Sequence, residues 1–407
     1  MRFSMSKNRF LPLALTVMAL FGTSLLSIVQ PASPRASAAT ASPSFIQTWA
    51  AENENSSHVR TRDQAVADAQ NFDVIVANPK TYASHMSAMR TANPALKVYA
   101  YLNGTFAQEN QGSTFPTDWY SRDAAGNKVR SKGYGNYLMK PTSSGWITNR
   151  ISLCKSMIAS SGYDGCMLDM LGTAPTRPGY TTALPINPST NKAWVPTDWQ
   201  KATAALASKV DVAIPQTVWG NGYGSGSRYY DSTWGPSRLL SPGVHGAHTE
   251  SWIRTSTMSI TSFRTESEWK KSVDMLRDLA AQGERTSVML KLWTSATTAQ
   301  KDAYHRYALA TFLLGSNGQS AFNASYGSDV NSLTYHRYWN VAIGTPTTAY
   351  AKIGGVYKRS FTNGIVLVNP TKTSQTVSLG GTFVDLNGTT RSSITLAPNT
   401  GDVMVRK

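Results

Sequence analysis

Short apolar runs alternate with segments of helical periodicity over most of the chain. Eight runs have the length and the β-branched or aromatic content of buried strands. They lie at residues 45–49, 73–78, 97–103, 164–170, 211–219, 244–252, 286–293 and 319–325. The helical segments between them lie at 60–71, 82–91, 146–160, 197–209, 266–282 and 298–314. Eight strand–helix repeats over about 290 residues favour an α/β fold, a (β/α)8 TIM barrel. An open doubly wound sheet would share the alternation, but no glycine-rich phosphate loop follows a strand.

The pattern changes near residue 347. Six short strand-like runs follow one another without an intervening helix, and Asn363-Gly364 and Asn387-Gly388 are typical hairpin turns. The sequence therefore predicts a barrel over residues 40–346 and a small C-terminal antiparallel β-sandwich domain over residues 347–407. That domain would either pack on the barrel or bind sugar.

Residues 1–39 have the pattern of a secretory signal peptide. A basic start precedes an apolar run at 11–29 and small residues at 36–39, which predict cleavage near Ala39. A membrane anchor is the alternative, but threonine, serine and glycine interrupt the run, so we expect a secreted protein without stable membrane insertion. Removing 39 of the 407 residues takes away four basic and no acidic residues, which lowers the net charge from +16 to +12.

The chain has two cysteines. Cys154 lies in a predicted helix and Cys166 in the strand that follows it. Export to an oxidising compartment favours a disulfide between them, and two separate buried thiols are the alternative.

Two acidic residues end apolar strands. Asp169 ends the fourth strand and Glu250 the sixth, where a TIM barrel carries its catalytic side chains. Because side chains alternate along a strand, Met167 and Asp169 should face the barrel interior, while Cys166 and Leu168 face the helices. Two facing carboxylates are what glycoside hydrolysis requires.

Two stretches carry a resemblance to a known family. The sequence GYDGCMLD at 162–169 resembles the fourth strand of secreted barrels of the glycosyl hydrolase-like family 15 group and, more distantly, of the endo-α-1,4-polygalactosaminidase type. Residues 356–370 and 378–383 resemble the β-domain fused behind such barrels. The resemblance implies polysaccharide hydrolysis. The fourth- and sixth-strand acids are similar to those of retaining α-glycosidases, which implies Asp169 as nucleophile or base and Glu250 as acid/base.

Aromatic and polar residues near the strand ends are candidates for sugar binding, because aromatic rings stack on pyranoses and polar groups read hydroxyls. Trp252, two residues after Glu250, is the leading candidate, although each aromatic could instead belong to the barrel core. The full set is Tyr101, Asn103, Trp219, Asn221, Trp252, Arg254, Lys291, Trp293 and Asn323.

Composition narrows the function. The apolar fraction of 41% excludes a disordered chain, and the basic residues are dispersed, which disfavours a nucleic-acid partner. We expect a monomeric secreted glycoside hydrolase without cofactor or metal, acting on a polysaccharide such as an anionic cell-wall or capsular glycan. A barrel that binds polysaccharide without cleaving it is one alternative. An esterase or deacetylase, which would need a Ser–His pair or a metal cluster, is another.

Overall fold

A closed barrel of eight parallel strands forms the larger part of the molecule. The computed structural model describes residues 45–52, 58–327 and 333–407, so the predicted signal segment lies outside the described residues. Each strand pairs with the next in sequence, and the eighth pairs with the first. The strands are β1 Gln47–Glu52, β2 Val74–Ala77, β3 Lys97–Asn103, β4 Gly165–Asp169, β5 Thr217–Asn221, β6 Gly246–Thr249, β7 Arg285–Lys291 and β8 Ser320–Ser325. The (β/α)8 prediction is confirmed.

Helices surround the barrel. The longer ones are α1 Arg62–Asn71, α2 Met86–Ala92, α3 Ser144–Ser161, α4 Pro196–Ala213, α5 Glu266–Ala281 and α6 Thr298–Gly315. The short ones are the α-helices Pro79–Tyr82 and Ser227–Tyr230 and the 3-10 helices Ala83–His85, Glu109–Gln111, Thr117–Trp119, Ala174–Thr176, Ser237–Gly243 and Arg337–Trp339. Threonine capping boxes begin α1, α5 and α6, each closed by a Gln or Glu three residues later. Among the described residues, no helix has both the length and the apolar character needed to cross a bilayer.

The predicted strand at 211–219 began too early. Residues 211–213 continue α4, and the strand begins at Thr217. Val212 is one of the most exposed apolar residues, at 84%, so its apolar character reflects no burial. An isolated apolar residue on a helix surface cannot be distinguished from a strand residue by periodicity alone.

The alternation along β4 is as predicted. Met167 packs inside the barrel with Trp49, Tyr99 and Trp219, whereas Cys166 and Leu168 belong to the layer between barrel and helices. Cys166 forms a disulfide with Cys154 of α3. The bond therefore fixes the fourth strand to the helix that precedes it.

Two long connections on the carboxyl side of the barrel are ordered. The loop after β3 holds a two-stranded ribbon, Phe106–Ala107 with Tyr137–Leu138, and the loop after β4 holds another, Ile186–Asn187 with Lys192–Ala193. Phe106, Leu138 and Trp194 meet Trp199 of α4 in a separate small core. These loops thus form a supported wall above the strand ends.

Six antiparallel strands form the C-terminal domain, which confirms that it is an antiparallel β domain as predicted. They are β9 Ala351–Ile353, β10 Val356–Phe361, β11 Gly364–Asn369, β12 Gln375–Val384, β13 Thr390–Leu396 and β14 Thr400–Arg406. They hydrogen-bond in one sheet, in the order β9-β10-β11-β14-β12-β13, and a register shift after Ser378 interrupts the β12–β13 pairing. The boundary at residue 347 stays a prediction.

The sheet has two apolar faces. One carries the domain's own core, including Ile365, Leu379 and Ile394, whereas Val366 and Val403 join the core of the barrel. Arg359 of β10 donates to the carbonyl oxygens of Leu313 (2.8 Å) and Ser316 (2.6 Å) at the end of α6. The domain therefore caps this helix.

We expect the disulfide to contribute substantially to stability. Replacing Cys154 and Cys166 together with alanine should lower the free energy of unfolding by about 3 kcal/mol, because the bond restricts a short loop in the unfolded chain. Urea denaturation of the double variant and of the wild type measures the difference. The control is a thiol titration of the denatured, unreduced wild type, which should find no free thiol. Two free thiols would contradict the disulfide.

Candidate active site

Residues 162–168, before and within β4, support the side chain of Asp169. Gly162 ends α3 with φ = 70°, a left-handed conformation that favours glycine. Asp164 accepts the Val98 N–H (2.9 Å) and pairs with Lys97 (3.4 Å), so it is structural. A Cβ on Gly165 would lie 1.9 Å from the carbonyl oxygen of Thr217, so a larger residue would separate β4 from β5. Asp169 lies at the end of the same strand and is only partly buried.

One amide group joins the two predicted carboxylates. Nδ2 of Asn221, at the end of β5, donates to Asp169 Oδ1 and to Glu250 Oε1, each at 2.7 Å. These two oxygens therefore lie no further apart than about 5.4 Å, twice that distance. Strands four, five and six are neighbours in the barrel, so their ends bring Asp169, Asn221 and Glu250 together.

Two further groups hold Asp169. The Tyr101 hydroxyl donates to Oδ2 at 2.6 Å, and the backbone N–H of Met170 donates to Oδ1 at 2.7 Å. Met170 has φ = 63°, in the left-handed region that residues other than glycine seldom occupy. Backbone strain of this kind concentrates at functional sites, and here it accompanies a turn that points an amide at the carboxylate.

Glu250 is paired with a lysine. Nζ of Lys291, at the end of β7, lies 2.8 Å from Glu250 Oε2, and the lysine side chain is only 8% exposed. Burial acts to raise the pKa of Glu250, but the charge of the Lys291 ammonium, together with smaller effects that include the hydrogen bonds from Lys291 and Asn221, holds that pKa below the usual range. Glu250 is therefore ionised in the resting site.

Asp169 has the opposite tendency. Burial, followed by the negative charge of Glu250, raises the pKa of Asp169 to about 6. The resting pair thus takes up a proton on Asp169 before Glu250. This order is the reverse of the one that the roles implied by the family resemblance need, a nucleophilic Asp169 and an acidic Glu250.

An open cleft of about 1010 Å³ lies above the pair. Its floor includes Asp169 and Glu250 together with three predicted sugar-binding residues, Tyr101, Asn103 and Asn221. Its walls come from the loops after β3, β4, β5 and β6. A cleft of this volume, polar at its floor, has the size of a ligand site.

The other six predicted sugar-binding residues do not line the cleft, which corrects the prediction. Trp219, Trp252, Arg254 and Asn323 are at most 1% exposed. Trp219 packs with Tyr99 inside the barrel, and Trp252 packs with Phe312 and Phe322 beneath the helices. Burial of their apolar surface decided the position of these aromatic residues.

Each of the other residues that do not line the cleft has a different contact in the structure. The guanidinium of Arg254 lies 4.8 Å from the centroid of the Tyr304 ring, and the side-chain amide of Asn323 donates to the backbone carbonyl of Trp49. Lys291 pairs with Glu250 and lies 4.5 Å from the ring of Trp293, so both residues stand beside the pair without lining the cleft. Lys291 therefore sets the charge of Glu250.

The sequence analysis missed the residues of the cleft walls. All of them lie in long loops, where no periodicity marks which side chains turn inward. Only the structure distinguishes them, through the exposure of two aromatic residues, 75% for Tyr134 and 44% for Trp234. The missed residues are Tyr134, Arg177, Tyr180, Arg228, Trp234 and Arg264.

A serine–histidine contact lies below the cleft. His248 Nδ1 is 2.7 Å from Ser287 Oγ, but both residues are buried, at 2% and 1% exposure. Burial lowers the pKa of His248 to about 4, so the ring is neutral near pH 7. Ser287 does not line the cleft, so this pair is placed as part of the barrel interior.

Comparison with solved structures places the fold among amylase-type barrels. The α-amylase of Geobacillus thermoleovorans, solved with acarbose, matches with a TM-score of 0.51 and 11% identity over 89% of this chain and 98% of its own. The maltogenic α-amylase AmyB of Thermotoga neapolitana matches with a TM-score of 0.50 and 9% identity over 89% and 96%. Identities this low show the fold alone. No curated protein matches the sequence.

The sequence itself identifies the family. The profile of hypothetical glycosyl hydrolase family 15 matches residues 90–365, about two thirds of the chain, including β3 to β8 and both carboxylates. The chain therefore belongs to hypothetical glycosyl hydrolase family 15.

Proposed function

We propose that the protein is a glycoside hydrolase that cleaves a polysaccharide with Asp169 and Glu250. The observation that carries the proposal is the Asn221 amide, which is 2.7 Å from both carboxylates at the floor of an open cleft. Two carboxyl groups about 5–5.5 Å apart are typical of retaining glycosidases, whereas inverting enzymes leave about 6.5–9.5 Å for a water molecule. The two oxygens that share the Asn221 amide lie at most about 5.4 Å apart, and this closest approach of the two carboxylates favours the shorter, retaining spacing.

The proposed reaction proceeds in two steps. In the first, an Asp169 oxygen bonds to the anomeric carbon as the glycosidic C–O bond breaks, and Glu250 gives its proton to the leaving oxygen. In the second, Glu250 removes a proton from water, which attacks the anomeric carbon and releases Asp169. Tyr101, Asn221 and the Met170 N–H donate to Asp169 and hold it in one orientation.

For these roles, Glu250 must be protonated when substrate is bound. Glu250 can donate a proton only when its ion pair with Lys291 is loosened, because that ammonium stabilises the ionised form. Substrate in the cleft excludes water and adds polar groups next to Glu250. We propose that these groups displace the Glu250 carboxylate from Lys291 and that Glu250 then takes up the proton that Asp169 holds at rest, which leaves Asp169 ionised for its attack.

A non-catalytic binding barrel does not require this arrangement. Holding Asp169 with three donors and Glu250 with a buried lysine requires the burial of charged groups, which costs free energy. A barrel that only binds its ligand would gain nothing from that arrangement. An esterase would need an accessible nucleophile, and Ser287 is 1% exposed. Secretion remains part of the proposal: a disulfide fits an oxidising compartment, and the expected leader lies outside the described residues.

Hydrolysis of a glycan panel tests the proposal. We expect the wild type to release sugar from at least one polysaccharide, and Asp169→Asn and Glu250→Gln each to lower kcat by about 10²- to 10⁴-fold, because each removes a reacting carboxylate. Asp118→Asn is the matched control, since Asp118 is exposed and lies outside the cleft. A wild type that binds glycans but cleaves none would overturn the hydrolase in favour of a binding barrel.

A change at Lys291 tests the roles. In the substrate complex, where Glu250 is proposed to hold the proton, Lys291→Met raises the pKa of Glu250, so the alkaline limb of the pH profile of kcat should move to higher pH by about one to three units. The control is Lys270→Met, which removes an exposed lysine paired with Asp274 on α5. Movement of the acidic limb instead would show that Glu250 must be ionised, which would exchange the two roles.

A further inference from the structure

Three arginines face the cleft without a carboxylate partner. Arg177 follows β4, Arg228 follows β5 and Arg264 follows β6, so each loop around the carboxylate pair contributes one guanidinium. Within the described residues none of the three forms an ion pair, whereas Arg130, Arg238 and other arginines elsewhere do. Placing unpaired cations in a ligand site suggests that the ligand supplies the anion.

The two further acids of the cleft are engaged elsewhere. Asp231 accepts the backbone N–H of Thr233 at 2.8 Å, and Glu268 closes the capping box of α5 through Thr265. In the part of the chain that the structure describes, neither acid is within ion-pair distance of an arginine. The cleft walls therefore hold three positive charges that no neighbouring group neutralises.

Arg177 carries the clearest sign of a missing partner. Its guanidinium lies over the ring of Trp234, 5.1 Å from the centroid, and its Nε is buried without a hydrogen-bond partner. Burial and then the charge of Arg228 lower the pKa of Arg177. A buried donor without a partner costs free energy, as does the approach of a second cation, and a bound anion would relieve both.

We propose that the cleft binds a polysaccharide containing uronic acid units and that Arg177 receives the carboxylate of one unit. A guanidinium donates two parallel hydrogen bonds to a carboxylate, a geometry that lysine cannot provide. Trp234, which is 44% exposed, offers a flat apolar surface for the sugar ring next to that carboxylate. The inference rests on the proposed function for the identity of the ligand as a glycan.

Binding to a variant that cannot cleave tests the inference. In an Asp169→Asn background, calorimetry compares oligosaccharides of galacturonan, alginate and hyaluronan with the methyl ester of each, in which the charge is removed and the sugar is unchanged. We expect at least one acid to bind about 10- to 100-fold more tightly than its ester, the value of a charge-assisted hydrogen-bond pair. Rising salt should weaken that acid's binding and leave the ester's unchanged.

Arginine variants locate the contact. Arg177→Gln should abolish the difference in binding affinity between the acid and its ester. Arg177→Lys, which keeps the charge but not the fork, should recover only part of it. Arg62→Gln on α1, an exposed arginine without an ion pair outside the cleft, is the matched control and should keep the full difference. A thermal unfolding curve confirms that each variant is folded.

The outcomes separate this inference from the hydrolase proposal. If no acid of the panel binds more tightly than its ester, or if Arg177→Gln keeps the difference, the inference is wrong whatever the wild type cleaves. If acids bind as expected but the wild type releases no sugar from them or from other glycans, the hydrolase proposal fails and the acidic ligand class stands.

Discussion

The side-chain amide of Asn221 is the interaction on which the site depends. Two carboxylates this close repel each other, and one of them would move away or stay protonated without a group between them. The amide donates to both at 2.7 Å, and Tyr101 and Lys291 add a donor on each outer side. The pair is therefore held from three directions, and its two protons titrate as properties of the pair.

The barrel makes this arrangement possible because its closure fixes the order of the strand ends. Asp169, Asn221, Glu250 and Lys291 follow one another on four neighbouring strands, so each can reach the next. Gly165 lets β4 approach β5 closely, and the disulfide ties β4 to α3. The positions of the four groups are thus set by backbone pairing rather than by flexible loops, as catalytic geometry requires.

Sequence reasoning reached the parts of the site that strand periodicity controls. The eight strands follow from the apolar runs between segments of helical periodicity. The inward face of Met167 and Asp169 and the meeting of Cys166 with Cys154 follow from alternation along β4. Asp169 and Glu250 were found because acids at the ends of apolar strands are unusual. The early start of the fifth strand shows the limit of the method, since exposed Val212 resembles a buried strand residue in a one-dimensional pattern.

The residues that sequence reasoning misplaced depend on tertiary contacts. Trp219 and Trp252 stand near strand ends, as sugar-stacking residues do, but the free energy of burying an indole placed both in the core. Lys291 was expected to contact sugar, and instead its ammonium meets Glu250 across two strands. Trp234 and Arg177 approach each other across two loops, and no local signal marks that contact.

The configuration of the first product is the most direct measurement of the central claim, that Asp169 and Glu250 act as a closely spaced carboxylate pair. Proton NMR during the first minutes of hydrolysis, on whichever glycan the wild type cleaves, distinguishes the two anomers before mutarotation mixes them. Because the two oxygens that share the Asn221 amide lie at most about 5.4 Å apart, we expect a product that retains the configuration of the cleaved bond. An inverted product would require a water between the carboxylates and would contradict the account.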